Sequence, residues 1–513
     1  MSRFLKIFAI WVAVNAIVWL FTLWQWQQNT VDVGLSDIVV RLLIVPIALV
    51  LAWVLVLWGV QRLKEKAVSP SSTTGPSTTN GTPESADGMP SRLAHAWILD
   101  ASVVTRLGAD LASTWEQVRA AELRPGLDPT LQDYDGLPVF SARVIDLVVD
   151  DQAHPSALES DERSSDLARR AIALAEPVMQ QLMDTALLMH EQLEVVEEPL
   201  PVQAGVGSAA ESFLEGKSHL SGMSRQRSSA APDENRQVSW HIDLLLPAIW
   251  PEAVRAQVDA RLQGRMDEFR QRVGESSPVR WRVLEPDTPE VWWQTLDQQL
   301  RMWQSHASSE AWLTLAVDSA IDESIVDQWQ AVGTLFTPRH QSGRIPGEAA
   351  AGVLFASPAL WSRLSVGWDG AEPVRLHRPI CLKRDKSADA IGRVGPETLA
   401  EALSRALSAA SLDPSVNLMV ISDADHRASR TSELFEALHA VKPGVDPISH
   451  VLRAGEYLGD IGMANTLMST ALACAAVGAG EQEVTALAAH VQSSHERVVV
   501  TLCSGNDRVA HPA

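Results

Sequence analysis

The sequence predicts an α/β protein preceded by an N-terminal two-helix membrane hairpin. Along residues 93–513, segments with apolar residues at helical spacing alternate with short apolar runs, as strands and helices do in α/β folds. The short runs are continuously apolar, for example "AWLTLAVDSA" (311–320), which is expected of strands covered on both faces. Two long uncharged spans precede this region, and they predict the hairpin.

The membrane hairpin is predicted over residues 1–66. Residues 7–24 and 42–60 carry no charge, and each span is close to the roughly 20 residues that cross a bilayer as a helix. Basic residues flank the pair on both outer sides, which predicts that both termini and the large remainder face the cytoplasm. These residues are Arg3 and Lys6 before the first span, and Arg62, Lys64 and Lys66 after the second.

Two compositionally biased stretches interrupt the globular pattern. Residues 67–92 are rich in Ser, Thr, Pro and Gly, which predicts a flexible linker because such a segment cannot bury a core. Residues 201–237 have a similar bias and predict a mobile insertion.

The remaining elements follow from hydrophobic periodicity. The sequence predicts helices over 109–123, 164–194 (with a break near Pro177), 250–273, 290–306, 395–412 and 430–441. It predicts strands within 96–108, 137–149, 237–247, 279–286, 311–320, 349–357, 416–425 and 495–505.

Charge and cysteine content exclude several classes of protein. The chain has 42 Lys and Arg against 63 Asp and Glu, a formal net charge of -21, which argues against nucleic-acid binding. Its three cysteines, Cys381, Cys474 and Cys503, form no C-x-x-C pair and no disulfide framework. His490 and His495 are five residues apart and would diverge on a helix, so no metal site is predicted. No cofactor loop is found, and we expect no cofactor.

Three segments resemble the thiolase-like fold of β-ketoacyl synthases. They are "VDSAIDE" (317–323), "SGRIPGEAAAGVLF" (342–355) and "GEYLGDIGMANTLMSTALA" (455–473), in the order of that family over about 93–509. The resemblance implies a layered αβαβα architecture of two halves, 93–360 and 361–513. It also implies a homodimer through the edge of the first-half sheet, with a monomer or an unequal pair left open.

The catalytic positions implied by this resemblance are all replaced. The nucleophilic cysteine would fall near 285–293, where the sequence has none, and the first histidine near Ser422. The second histidine corresponds to Glu456 and the lysine to Val451. A carboxylate at an oxyanion site opposes the developing negative charge, so we expect no acyl condensation and no catalytic residue.

The chain also resembles the membrane-anchored type VI lipase adapter family of type VI secretion accessory proteins. That resemblance implies a scaffold that holds a secreted lipase effector and delivers it to the secretion spike. One alternative is a hydrolase or acyl-transfer enzyme with a relocated acid/base site at Asp423, Asp425, His426 and Glu456, since acids at strand ends can be catalytic. Another is a membrane-tethered structural subunit without an effector.

Overall fold

The computed structural model describes residues 94–149, 162–197, 237–274, 277–365, 367–390, 392–412, 416–479 and 484–505. The predicted membrane spans at 7–24 and 42–60, the linker at 67–92 and the insertion except residue 237 lie outside these residues. Within the part that the structure describes, no helix is long and apolar enough to cross a membrane.

Among the described residues, the first half of the fold contains seven strands and six helices. The strands are β1 (His95–Thr105), β2 (Gly126–Gln132), β3 (Pro138–Ser141), β4 (Ser239–Leu245), β5 (Val279–Leu284), β6 (Glu310–Ser319) and β7 (Glu348–Ala356). The helices are α1 (Leu111–Ala120), α2 (Glu162–Glu197), α3 (Glu252–Val273), α4 (Glu290–Ser305), α5 (Glu323–Ala331) and α6 (Pro358–Leu364).

In the part of the second half that the structure describes, there are six strands and four α-helices. The strands are β8 (Val374–His377), β9 (Ile380–Lys383), β10 (Leu418–Ser422), β11 (Val451–Arg453), β12 (Thr485–His490) and β13 (Glu496–Ser504). The helices are α7 (Glu397–Ala409), α8 (Ala428–Val441), α9 (Gly455–Leu458) and α10 (Asn465–Gly478), with a 3₁₀ turn at Gly462–Ala464.

The two halves repeat one strand arrangement. The order is β5-β4-β6-β7-β1 in the first half and β11-β10-β12-β13-β8 in the second, so both read 3-2-4-5-1 in order of their main strands. In each half the fifth strand, β7 or β13, is antiparallel to both neighbours. The halves join where β1 pairs with β8, from His95 opposite His377 to Ile98 opposite Val374. This duplication is visible in the topology although no sequence repeat is.

Five layers result from packing helices on both faces of the joined sheets. Helices α2 and α3 share a core with one face of the first-half strands, and α7 and α8 cover the outer face of the second-half strands. Helices α1, α4 and α10 lie in the layer between the sheets, where the largest apolar core contains Trp292 and Trp293. The observed αβαβα layering and two similar halves are the architecture that the thiolase-like resemblance implied.

Helix α10 is the centre of this arrangement and is buried on nearly all sides. It contacts strands of both halves, including β7, β10 and β12, and every residue from Asn465 to Cys474 is buried. The glycine-rich turn before it makes close backbone approaches. A Cβ on Gly455 would lie 2.1 Å from the carbonyl oxygen of Asp423, and Gly459 has φ +66° with the carbonyl oxygen of Ile345 2.9 Å from the position of a Cβ. Gly455 is therefore required by its contact with the second half, and Gly459 by its contact with the first half.

Three local predictions were wrong. Helix α2 runs through Pro177 without a break, because packing against β1, β6 and β7 outweighs the one hydrogen bond that proline cannot donate. Of the predicted strand at 137–149, only Pro138–Ser141 forms a strand, β3 of a small hairpin with β2, and Ala142 adds one isolated bridge to Gly347. His490 and His495 do not lie on a helix, since β12 ends at His490 and a loop follows.

We predict that Gly455→Ala lowers the free energy of unfolding by about 1–3 kcal/mol, because its methyl group would overlap the main chain of Asp423. The matched control is Gly264→Ala in the exposed middle of α3, where a Cβ meets nothing within 4 Å. The control should stabilise the protein by up to about 1 kcal/mol, because alanine has the higher helix propensity. Urea unfolding of the full chain in detergent, followed by tryptophan fluorescence, measures both. Equal stability of the two variants would contradict the close approach.

Candidate functional site

A cavity of about 880 Å³ lies between the two halves, at the ends of β6, β10 and β12. Loops and turns of both halves complete its wall, including residues 333–344, 388–390 and 460–465. Ionisable side chains dominate its polar lining. They are the acids Asp287, Glu290, Asp318, Asp389, Asp423 and Asp460, the arginines Arg344, Arg427 and Arg430, and the histidines His340 and His490.

Glu290 is the first residue of α4 and occupies the segment where the resemblance places a nucleophile. Its side chain is buried, and its Oε2 has no hydrogen-bond partner. Burial raises its pKa; the charge of Asp423 raises it further and that of His490 lowers it. A helix N-terminus favours an anion, but here the cost of desolvation is larger.

Asp423 and His490 face each other at the ends of the parallel neighbours β10 and β12. The Oδ1 of Asp423 accepts the backbone N–H groups of Val491 at 2.6 Å and Gln492 at 3.1 Å. Its Oδ2 lies 3.7 Å from Nδ1 of His490, and Nε2 of His490 has no hydrogen-bond partner. The imidazole is buried, with its ring centroid 5.4 Å from that of Trp293. The ring is thus fixed in place with one nitrogen unsatisfied.

Asp318 is the next-to-last residue of β6 and lies on another part of the cavity wall. Its Oδ2 accepts the backbone N–H of Met463 at 2.7 Å, and a Cβ on Gly462 would lie 1.9 Å from that oxygen. Burial raises the pKa of Asp318 to about 7, and the charge of Asp460 contributes, while Arg344 opposes the rise. The glycine turn therefore approaches an acid of the first half directly.

The three arginines of the cavity are each paired with a carboxylate. Arg344 donates to Asp460, and Arg430 lies 2.6 Å from Asp389. Burial alone would raise the pKa of Asp460, but the charges of Arg344 and Arg427 hold it below its usual value. The guanidinium of Arg427 binds Asp425 through Nε and Nη2, at 2.7–3.0 Å. Each arginine of the cavity lining therefore has a carboxylate partner.

Of the four candidate acid/base residues, the structure brings only Asp423 to the cavity. Asp425 is held by Arg427, and His426 packs edge-on against Phe336. Glu456 is held by Arg124 and Arg453. Sequence reasoning missed Glu290, Asp318 and His490. Each lies at the beginning of a helix or near the end of a strand, and the first two lie in segments singled out for the family resemblance.

The cysteines of the described residues are all outside the cavity lining. Burial, with smaller effects of Asp297 and Glu290, raises the pKa of Cys381 to about 12. The pKa of Cys474, inside α10, is raised by burial and then by Asp100. Neither thiol is therefore a thiolate near neutral pH. Among the described residues there is also no group of three His, Cys, Asp or Glu side chains that could hold a metal ion.

No protein-family model matches the chain, and no curated protein matches it. It is similar in structure to the ishigamide ketosynthase/chain length factor, with 15% identity, 80% of this chain and 99% of that chain covered, and a TM-score of 0.47. The ketosynthase from module 1 of the bacillaene synthase from Bacillus amyloliquefaciens matches at 10% identity, with 82% and 75% covered and a TM-score of 0.46. The oxazolomycin ketosynthase domain of Streptomyces albus matches at 12%, with 82% and 76% covered and a TM-score of 0.45.

These identities and scores are too low to carry a functional conclusion. The thiolase-like description of this chain rests on its own duplicated strand order and five layers. The resemblance to type VI lipase adapters is not addressed by any of these neighbours and stays a prediction.

We predict that Asp318→Asn flattens the pH dependence of stability. The pKa of Asp318 is about 7 in the folded protein and near 3.8 in the unfolded chain, so the native state retains this proton up to a higher pH than the unfolded state does. The contribution of Asp318 is therefore complete below about pH 4 and is lost as pH rises to about 7, by at most a few kcal/mol. Unfolding of the full chain in urea at pH 5 and pH 8 measures the difference.

The Asn variant should be the more stable protein at pH 8. Asp460, Arg344 and the N–H of Met463 face residue 318 in both proteins, and the other carboxyls with raised pKa values are unchanged, so their effects cancel in the comparison. Asp184→Asn on the exposed face of α2 is the control and should follow the wild type. Parallel pH profiles for wild type and Asp318→Asn would refute the assignment.

Proposed function

We propose that this protein is a non-catalytic, membrane-tethered adapter that binds a protein partner. One observation carries the proposal: the central cavity of a synthase-like architecture contains carboxylates and no thiol. Thioester condensation needs a nucleophile and hydrogen-bond donors aimed at an oxyanion. Here Glu290 occupies the beginning of α4, and the three arginines of the cavity are already paired with acids.

The partner that we propose is a lipase effector of a type VI secretion system, passed on to the secretion spike. Support for this partner comes from the sequence resemblance to the adapter family and from the predicted hairpin. That hairpin would keep residues 93–513 on the cytoplasmic side of the bacterial inner membrane. An adapter needs a stable scaffold and an accessible surface, and it needs no reactive centre.

The surface that we expect the effector to use is the β2–β3 hairpin. This hairpin forms a two-stranded sheet separate from the main sheet. Large apolar side chains on and beside it are exposed, among them Leu127 (63%), Leu137 and Tyr134. Tyr134 hydroxyl donates to the carbonyl of Asp327 on α5, which fixes the hairpin against the body of the fold. A fixed apolar surface suits binding to a partner.

Co-purification with the lipase encoded nearest to the protein tests this proposal. The full chain, tagged and purified in detergent, should retain the lipase and a spike component, both identified by mass spectrometry. Leu127→Ser with Leu137→Ser should reduce the retained lipase at least about tenfold, the size expected for losing two interface side chains. Ile448→Ser is the matched control, since Ile448 is 90% exposed on a different loop. Failure to retain any type VI component would overturn the adapter role.

A second candidate function is hydrolysis with His490 as general base. The observation that favours it is the pairing of His490 with Asp423 beside Glu290, which leaves Nε2 free to accept a proton. In this case His490→Ala should abolish hydrolysis of a p-nitrophenyl acyl ester by the full chain. His426→Ala, whose side chain packs against Phe336, should keep it. The adapter proposal expects no hydrolysis in any of the three proteins.

A further inference from the structure

One carboxylate of the cavity lining belongs to an exposed loop. Asp389 lies in the loop between β9 and α7, and its side chain is 52% exposed. Its Oδ1 lies 2.6 Å from Nη1 of Arg430 and 3.8 Å from Nη1 of Arg427, and both arginines are buried. One oxygen position in the cavity is therefore within reach of two guanidinium groups, and the group that occupies it is half exposed to solvent.

The guanidinium of Arg430 is fixed by groups other than Asp389. Its Nε and Nη2 donate to the carbonyl oxygen of Gln492, at 3.2 and 3.1 Å. Its Nη1 also donates to Oγ of Ser429 at 3.1 Å. The direction in which Nη1 faces the cavity therefore does not depend on Asp389.

Asp389 leaves a donor of Arg427 unused. Nε and Nη2 of Arg427 bind Asp425, whereas Nη1 forms no hydrogen bond with any residue that the structure describes. The 3.8 Å from Nη1 to Asp389 is too long for a hydrogen bond. The preceding residue, Ala388, is buried and donates its N–H to the carbonyl of Ser494 at 2.8 Å, which limits how far Asp389 can reach. A carboxylate that is not attached to this loop could contact both arginines.

Arg344 adds a third positive charge beside the same position. Burial alone would raise the pKa of Asp389, but hydrogen bonding to Arg430 holds it below its usual value. The charges of Arg427 and Arg344 act in the same direction. Arg344 donates through Nε to Asp460, and its side chain is 38% exposed in the cavity lining. We call Arg344, Arg427 and Arg430 the arginine cluster.

We propose that the arginine cluster binds a carboxylate group of a ligand, and that Asp389 occupies this position when the ligand is absent. Exchange avoids the cost of breaking a buried ion pair, because Arg430 has a carboxylate partner before and after it. The side chain of Asp389, already half exposed, is hydrated after it turns away. Without Asp389 the cluster has three positive charges against the two of Asp425 and Asp460, so one singly charged anion restores the balance.

The rest of the cavity lining indicates what the carboxylate is attached to. The cavity of about 880 Å³ has room for more than this one group, and Pro247, Ile249 and Pro286 give its lining an apolar part. Ile249 is 59% exposed. A carboxylate on a short aliphatic chain fits this lining, and it has two sources, a free aliphatic acid or an acidic side chain of a bound protein. The site does not depend on the adapter role, because it is defined by the cavity alone.

Calorimetric titration of the full chain in detergent with sodium butyrate tests the proposal. We expect 1:1 binding, with 1-butanol and n-butylamine binding at least about tenfold more weakly, because they form no charged hydrogen bond with an arginine. Asp389→Asn removes the competing charge and should lower the dissociation constant of butyrate at least about tenfold. Asp385→Asn, exposed in the same loop and outside the cavity lining, is the control of equal charge change and should bind as the wild type does.

Substitutions in the arginine cluster should have the opposite effect. Arg430→Gln should weaken butyrate binding at least about tenfold and remove the gain of Asp389→Asn. Arg344→Gln should weaken it about two- to fivefold, since its guanidinium is partly exposed. A circular dichroism melt shows whether Arg430→Gln is folded; if it is not, Arg344→Gln takes its place with the smaller expected effect.

Four results would overturn the carboxylate site. The first is no binding of butyrate to the wild type, even if Asp389→Asn binds it, because the substitution would then have created the site. The second is equal affinity of the wild type and Asp389→Asn. The third is the same gain in Asp385→Asn, which would indicate a general effect of charge. The fourth is tighter binding of methyl phosphate than of butyrate, because a dianion exceeds the one unbalanced charge of the cluster.

N-acetyl-glutamate methylamide distinguishes the two sources of the carboxylate. Binding at least about tenfold tighter than that of butyrate, and lost in N-acetyl-glutamine methylamide, indicates an acidic side chain of a protein, whose peptide groups add hydrogen bonds. Binding equal to or weaker than that of butyrate indicates a free aliphatic acid.

Discussion

The structure depends on one helix that is buried on nearly every side. Helix α10 lies between two sheets, so its side chains have to be apolar or small on all faces, and the sequence from Asn465 to Gly478 meets that demand. The position of α10 also constrains the turn that leads into it. The turn at 455–462 passes so close to Asp423 and Asp318 that only glycine fits at Gly455 and Gly462. The same packing that joins the halves therefore forms one wall of the cavity.

The cavity includes residues of the segment 285–293, where the resemblance to synthases places a nucleophile, and its lining is rich in acids. Arginines bound to Asp460, Asp425 and Asp389 make its wall rigid without offering a free cation. Glu290 lies in the segment where the resemblance places a nucleophilic cysteine, and burial raises the pKa of its carboxyl group. Buried ion pairs are costly to break, because one partner would be left as an unpaired charge.

Sequence patterns predicted the elements whose structure follows from the spacing of their own apolar residues. They failed for elements whose structure depends on pairing or packing with segments far away in the chain. Strand β6 and helix α4 were predicted within one or two residues, because their apolar spacing is unambiguous. Strand β12, "TALAAH", was missed, since alanine has little strand preference and the segment is extended only by pairing with β10 and β13. Of the cavity acids, Asp423 was found from its place after a strand, but its partner His490 is 67 residues away.

The sequence by itself determined the alternation of strands and helices, the absence of a cysteine in the segment 285–293 and the predicted hairpin at 1–66. These follow from local composition and periodicity, which need no knowledge of neighbours. Tertiary structure alone decided the duplicated strand order, the layer around α10 and the meeting of Glu290, Asp423 and His490. It also decided which acids are paired and which are not. The reason is physical: burial and pairing depend on distances between residues far apart in the chain, and those distances exist only after the two sheets have closed on the central helix.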